Sequence, residues 1–207
     1  LVVEPEHSRH SQITDVRAVK TDEELEHVRE AQRANEQAMA AAEALVREAT
    51  VEDGVLQYEG EPLTSERVTE AIEVALLREG CALDETIVAC GSDAADPHDR
   101  GSGPLVAGES IIVDIFPRNK ASKYHADMTR TFVKGEATDT QKAWHAVTDE
   151  ARKAALDAVE AGATGEDVNQ AVVDVYQEAG QPTVFTDPDT ETGFIHSTGH
   201  GVGLDVH

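Results

Sequence analysis

Apolar residues recur at helical spacing in four stretches of this chain and alternate or cluster in a few shorter ones. The first helical stretch opens at Thr21-Asp-Glu-Glu24, where Thr21 can accept from the Glu24 backbone while the Glu24 carboxylate reaches back. It runs through an alanine-rich segment to about Thr50, with Leu25, Val28, Ala31, Ala38 and Ala42 on one face. The second spans Thr64 to Glu79, with Val68, Ile72, Ala75 and Leu76 directed inward and Gly80 as its stop. The third opens at Thr138-Asp-Thr-Gln141 and runs to about Ala161, ahead of Gly162. The fourth opens at Thr164-Gly-Glu-Asp167 and ends at Ala179, ahead of Gly180.

Strand signals are shorter. Ile87 to Ala89 is an apolar run closed by Cys90. Ser110 to Pro117 and Tyr124 to Lys134 flank the polar Arg118-Asn-Lys-Ala-Ser-Lys123, which reads as a hairpin. Between Asp93 and Gly108, Pro97, Gly101, Gly103 and Pro104 indicate loop. Gln12 to Val19 alternates weakly, so residues 1–20 read as a linker or entering strand, and residues 21–207 as the domain proper. A last strand is expected from Phe194 onward, after the turn-rich Thr186-Asp-Pro-Asp-Thr190. The order, helix pair, strands, helix pair, strand, is an α+β class with a coarse half-repeat whose second half is short of strands.

Composition narrows the function classes. With 41 acidic against 17 basic residues and a net charge of −24, the chain lacks the clustered cations that nucleic-acid binding needs. The acid is dispersed along helical stretches (Glu23, Glu26, Glu30, Glu36, Glu43, Glu48) rather than gathered in a tail. That pattern reads as an acid-coated globular surface, whose leading explanation is a salt-loving host. Cys81 and Cys90 lie nine apart without CxxC spacing and read as small core residues rather than ligands. Neither a membrane-length apolar run nor a signal-like opening is present in the sequence, which makes a cytoplasmic address the default expectation.

The candidate chemistry sits on the apolar segments. Asp114 lies inside Ile111-Ile-Val-Asp-Ile-Phe116, where alternation gives it the face of Ile112 and Phe116. Asp127 lies inside His125-Ala-Asp-Met-Thr-Arg-Thr-Phe132, with Arg130 close enough in sequence to pair with it. Alone, each can be an aspartate bonded at a turn. On the two arms of one hairpin they can meet, and two unneutralised carboxylates that close repel unless a cation joins them. The segment His196-Ser-Thr-Gly-His200-Gly-Val-Gly-Leu-Asp-Val-His207 then supplies three imidazoles among glycines. Even spacing lets His196 face with His200, whereas His207 needs a bend to join them. His98, in Asp96-Pro-His-Asp99, is a loop histidine on spacing alone. Carboxylates and histidines converging from separate strands suit a divalent metal site.

Together, Asp114, the Asp127-Met-Thr-Arg-Thr-Phe132 run and the His196–His207 segment resemble the Xaa-Pro peptidases, aminopeptidase P and prolidase, of the pita-bread metallopeptidase fold. The resemblance covers about residues 14 to 207. It implies an antiparallel sheet with helices on its outer face, the second half incomplete here. It also implies two divalent ions, most often manganese or cobalt, with zinc or iron as alternatives. Asp114, Asp127 and His200 take the place of metal ligands, with Asp127 bridging. His98, His196 and His207 take the place of residues that bind substrate and steady the tetrahedral intermediate. The activity implied is hydrolysis of an Xaa-Pro peptide bond by a hydroxide shared between the metals. The partner is then a proline-containing peptide, with no nucleic acid or membrane, and a homodimer by analogy with relatives. Two departures stand out. The family's aspartates are usually closer in sequence than the twelve residues, Ile115 to Ala126, that separate them here. The family's two glutamate ligands would fall beyond His207, so this chain by itself is expected to be inactive. A non-catalytic pita-bread scaffold and a creatinase-like hydrolase are the alternatives.

Overall fold

The computed structural model describes residues 12–207, and the readings made on residues 1–11 lie outside them. In chain order the elements are α1 (Gln12–Ala18), α2 (Asp22–Glu48), β1 (Thr50–Glu52), β2 (Val55–Tyr58), β3 (Glu61–Pro62), α3 (Ser65–Arg78), β4 (Cys81–Ala82) and β5 (Thr86–Cys90). They continue as a 3-10 turn (Asp93–Ala95), β6 (Ser110–Ile115), β7 (Arg118–Asn119), β8 (Met128–Val133), α4 (Asp139–Ala158) and α5 (Gly165–Glu178). The described chain forms two compact units: residues 12–136 together with Gly201–His207, and Ala137–His200.

In the first unit, β5, β6 and β8 form an antiparallel sheet with β6 in the centre. Ile111, Val113 and Ile115 of β6 are fully buried while Ile112 and Asp114 between them are half-buried, so one face of the sheet is covered. The cover is α2 and α3. On α2 the buried positions Ala31, Ala34, Asn35, Ala38, Met39, Ala42 and Val46 step by three and four, and the alanines allow close approach to the sheet. On α3, Val68, Ile72 and Leu76 do the same. Leu56, Leu63 and Leu105 close the ends of this core. The capping box at Thr21 forms as read, with the Thr21 side chain accepting from the Glu24 backbone.

A three-stranded meander, β1-β2-β3, follows α2 through two-residue turns at Asp53-Gly54 and Glu59-Gly60. All four turn residues have positive φ (49°, 82°, 56° and 81°), the geometry whose twist matches a hairpin. The Asp-Gly pair is the sequence signal for it. The loop from Asp93 to Gly108 is held against the sheet by the Arg100 carbonyl, which accepts from Val88 at 3.0 Å.

The second unit packs α4 against α5 around Ala151, Val172, Val173 and Phe194. Capping boxes open both helices, at Thr138 and Thr164. The α4 helix ends at Ala158, short of the expected Ala161.

Two expectations are corrected. Residues 12–18 form the helix α1 rather than an entering strand. Ile13 and Val16 stand three apart, a spacing a helical turn accommodates as well as a strand does. The segment from Phe194 to His207 forms no strand; Phe194 makes an isolated parallel bridge with Thr183. Gly199, Gly201 and Gly203 leave it three residues with no side chain to pack and the largest backbone entropy to lose.

Candidate metal centre

The hairpin of β6 and β8 keeps one register well past its strands. Pairing runs from Ser110 opposite Val133 to Ile115 opposite Met128. Ala126 then donates to the Pro117 carbonyl at 3.0 Å, Arg118 bridges His125, and Asn119 donates to the Tyr124 carbonyl at 2.9 Å. In this register Asp114 faces Thr129, and Asp127 stands opposite Phe116. The Tyr124 hydroxyl donates to Glu24 Oε1 at 2.8 Å on α2, and Ala126 is buried. Residues 124, 126 and 128 therefore turn toward the helices, and alternation turns His125, Asp127 and Thr129 to the other face, where Asp114 also lies. The two aspartates are diagonal neighbours on that face, at a Cα spacing of about 7–8 Å for a regular ladder. The connection between them turns at residues 120–123, and its length keeps the parity that puts both on this face.

Both aspartates are half-buried rather than enclosed. Asp114 is held at two points. Its Oδ1 accepts from the Thr129 hydroxyl at 2.7 Å, and its carbonyl accepts from the Thr86 hydroxyl at 2.6 Å. Thr86 and Thr129 escaped the sequence reading; the signal for Thr129 was its position directly across the hairpin from Asp114.

The histidines are distributed over both units. His98 projects from its loop with its side chain 94% exposed, and Asp96 Oδ1 accepts from its backbone N–H at 2.8 Å. His207 is exposed in the stretch Gly201–His207 of the first unit, where the Gly203 carbonyl accepts from the His125 N–H at 2.7 Å. His196 and His200 belong to the second unit and are both exposed. The His196 ring stands edge-on to Phe194 at 4.9 Å, with Nδ1 2.7 Å from the Ser197 carbonyl oxygen. Among the described residues, no three His, Cys, Asp or Glu side chains come close enough together to hold a metal ion. The structure thus brings Asp114 and Asp127 to one face of the first unit, while His200 belongs to the second. Burial pushes both thiols, Cys81 and Cys90, above their ordinary pKa, away from the thiolate that metal binding needs. The donor chemistry of the aspartate pair, two carboxylates with one already oriented by a hydroxyl, fits a hard or borderline divalent cation.

Comparison with known proteins places this architecture. A 199-residue match to the Xaa-Pro dipeptidase of Pyrococcus furiosus is 29% identical, covering 94% of this chain and 50% of that protein. The probable dipeptidase PepE of Mycobacterium tuberculosis is 35% identical over 146 residues, covering 70% of this chain and 36% of its own length. Among solved structures, the prolidase from Pyrococcus furiosus superposes with a TM-score of 0.76 at 28% identity, over 94% of this chain and 52% of that one. The X-Pro aminopeptidase from Thermotoga maritima gives 0.76 at 28% identity, over 95% of this chain and 50% of that one. The chain therefore spans about half the length of proteins whose α+β, pita-bread architecture it shares. The sequence profile described as metallopeptidase family M24 matches residues 26–207. With the profile spanning nearly all of α2 and everything after it, the chain belongs to metallopeptidase family M24.

Proposed function

We propose that this chain carries part of the catalytic domain of a metal-dependent peptidase that hydrolyses the Xaa-Pro bond, of aminopeptidase P or prolidase type. The observation that carries the reading is the pair Asp114 and Asp127 on the open face of one continuous hairpin, in an M24 chain. Asp114, Asp127 and His200 are the ligands for two divalent ions, manganese or cobalt, and residues 21–207 belong to a single catalytic domain. When bound, such ions lower the pKa of water and polarise the peptide carbonyl. His98, His196 and His207 bind the peptide and donate to the carbonyl oxygen as it gains negative charge. Thr129 keeps the Asp114 carboxylate turned into the open face. A cytoplasmic, salt-rich setting and a homodimer complete the proposal.

Two measurements test it. Calorimetric titration of the 207-residue chain with Mn2+ should show one weakly held ion, because the chain carries three of the proposed ligands and no glutamate among them. Asp114→Asn and Asp127→Asn should each abolish that binding; unchanged affinity in both, or two tightly bound ions, would overturn the ligand assignment. The full-length gene product with Mn2+ should hydrolyse an Xaa-Pro dipeptide or an Xaa-Pro-containing tripeptide, and the preferred length separates prolidase from aminopeptidase. Cleavage of neither would count against the reaction itself.

A further inference from the structure

Among the described residues four polar side chains are buried, and two of them end on consecutive carbonyls at the end of β6. Asn35, fully buried on the alanine-rich face of α2, donates from Nδ2 to the Ile115 carbonyl at 2.7 Å. Thr86, 7% exposed at the start of β5, donates from its hydroxyl to the Asp114 carbonyl at 2.6 Å. Asn35 sits among Ala34, Ala38 and Met39, where an apolar side chain would pack without desolvating an amide. Its own Oδ1 is buried with no hydrogen-bond partner, so the desolvation of this amide is offset only by the one bond from Nδ2. A buried polar group kept at such a cost is best explained by what its one bond fixes.

That bond fixes the last residue of β6, beyond which the regular strand stops. Asp114 is the penultimate residue of β6, and the hairpin register continues past it to Asn119. Asn35 holds the following peptide from the helix side and Thr86 holds the Asp114 carbonyl from the neighbouring strand. Thr129 then orients the carboxylate itself. We infer that Asn35 and Thr86 are positioning residues for Asp114: they immobilise the end of β6 so that its carboxylate is pre-aimed at a divalent cation. The inference rests on the reading of Asp114 as a metal ligand. Pre-aiming matters most for a site with few ligands, because an ordered carboxylate loses less freedom when the ion binds.

The test is Mn2+ affinity of the 207-residue chain, read from the electron paramagnetic resonance signal of free Mn2+, with circular dichroism confirming the fold. Asn35→Leu fills the volume without a donor, and Thr86→Val keeps the shape without the hydroxyl. Each should weaken Mn2+ binding about tenfold, the lower end of the range for groups that orient a ligand. Thr86→Ser, which restores the hydroxyl, should recover wild-type affinity. Met39→Ala, on the same helix face, should lower the melting temperature and leave the affinity unchanged. If Asn35→Leu does not fold, the Thr86 pair decides. Wild-type affinity in Thr86→Val, or an equal loss in Met39→Ala, overturns the inference and leaves the ligand reading intact. No Mn2+ binding by the wild-type chain overturns the ligand reading, and this inference with it.

Discussion

At Asp149 the carboxylate accepts from Lys153 and Arg152, one turn further along α4. The Lys153 ammonium first, and then the Arg152 guanidinium, hold its pKa down to about 2. A carboxylate whose folded value is depressed binds its proton more weakly in the native state. Its stabilising effect is therefore present above the unfolded value near 4 and is lost as pH falls toward 2. A carbon-13 titration of Asp149 should show a midpoint near 2, and Asp149→Asn should flatten the acid dependence of the melting temperature in that window. A midpoint near 4 would mean that the two cations do not hold it. Glu24 is held below the usual carboxylate range as well, by the Thr21 backbone N–H and then by the Tyr124 hydroxyl. The same contact pushes the Tyr124 phenol up. One residue thus caps α2 and ties it to the hairpin arm that carries Asp127.

The elements that could be read locally are those whose stops and starts are encoded by neighbours in sequence. Thr21, Thr138 and Thr164 each accept from the backbone three residues on. Thr21→Ala should cost about 1 kcal/mol in chemical denaturation, since the first-turn N–H it serves would return to water alone. An unchanged midpoint would show that the Glu24 to Tyr124 contact suffices without the cap. Elsewhere an element depends on a glycine for a non-local reason. At Gly101, φ is +73° and an added Cβ would lie 1.9 Å from the Val88 carbonyl oxygen. Gly101→Ala should therefore displace the loop from β5 at a cost of about 1–3 kcal/mol. An alanine variant as stable as wild type would mean that the loop is not pressed onto the strand.

For the whole molecule the dominant physical fact is a net charge of −24 on 207 residues. Exposed pairs such as Glu26 with Arg33 and Glu43 with Arg47 are screened by solvent and contribute too little to offset repulsion among 41 acidic groups. Salt shortens the reach of that repulsion from about 10 Å at 0.1 M to about 3 Å at 1 M. The melting temperature should therefore rise between about 0.1 and 1 M KCl as the remaining repulsion is screened. A flat or falling melting curve over that range would sink the reading of an acid coat suited to high salt. The proposed ligands are unevenly spread at this scale, with the aspartates in the first compact unit and His200 in the second.

What the sequence determined by itself is what short-range rules can carry. Capping boxes and the period of the apolar residues place α2 through α5 to within a few residues. Strand parity puts Asp114 and Asp127 on one face of the hairpin for any tip whose length differs from this one by an even number of residues. The tight turns at Asp53-Gly54 and Glu59-Gly60 came from the structure, although the Asp-Gly pair is a local signal of the same kind. The tertiary structure decided everything that depends on which distant surface meets which. The α2 and α3 helices cover the side of β6 bearing Ile111, Val113 and Ile115, and this alone makes the aspartate side the open one. The pairing of Cys81 with Asn119 joins residues that no local pattern relates. Asn35 reads in sequence as one polar position in an alanine-rich helix, and only the fold sets its amide against the carbonyl of Ile115, 80 residues away. Local backbone hydrogen bonds and side-chain alternation are properties of a few consecutive residues, whereas burial and long-range polar contacts belong to the packed chain.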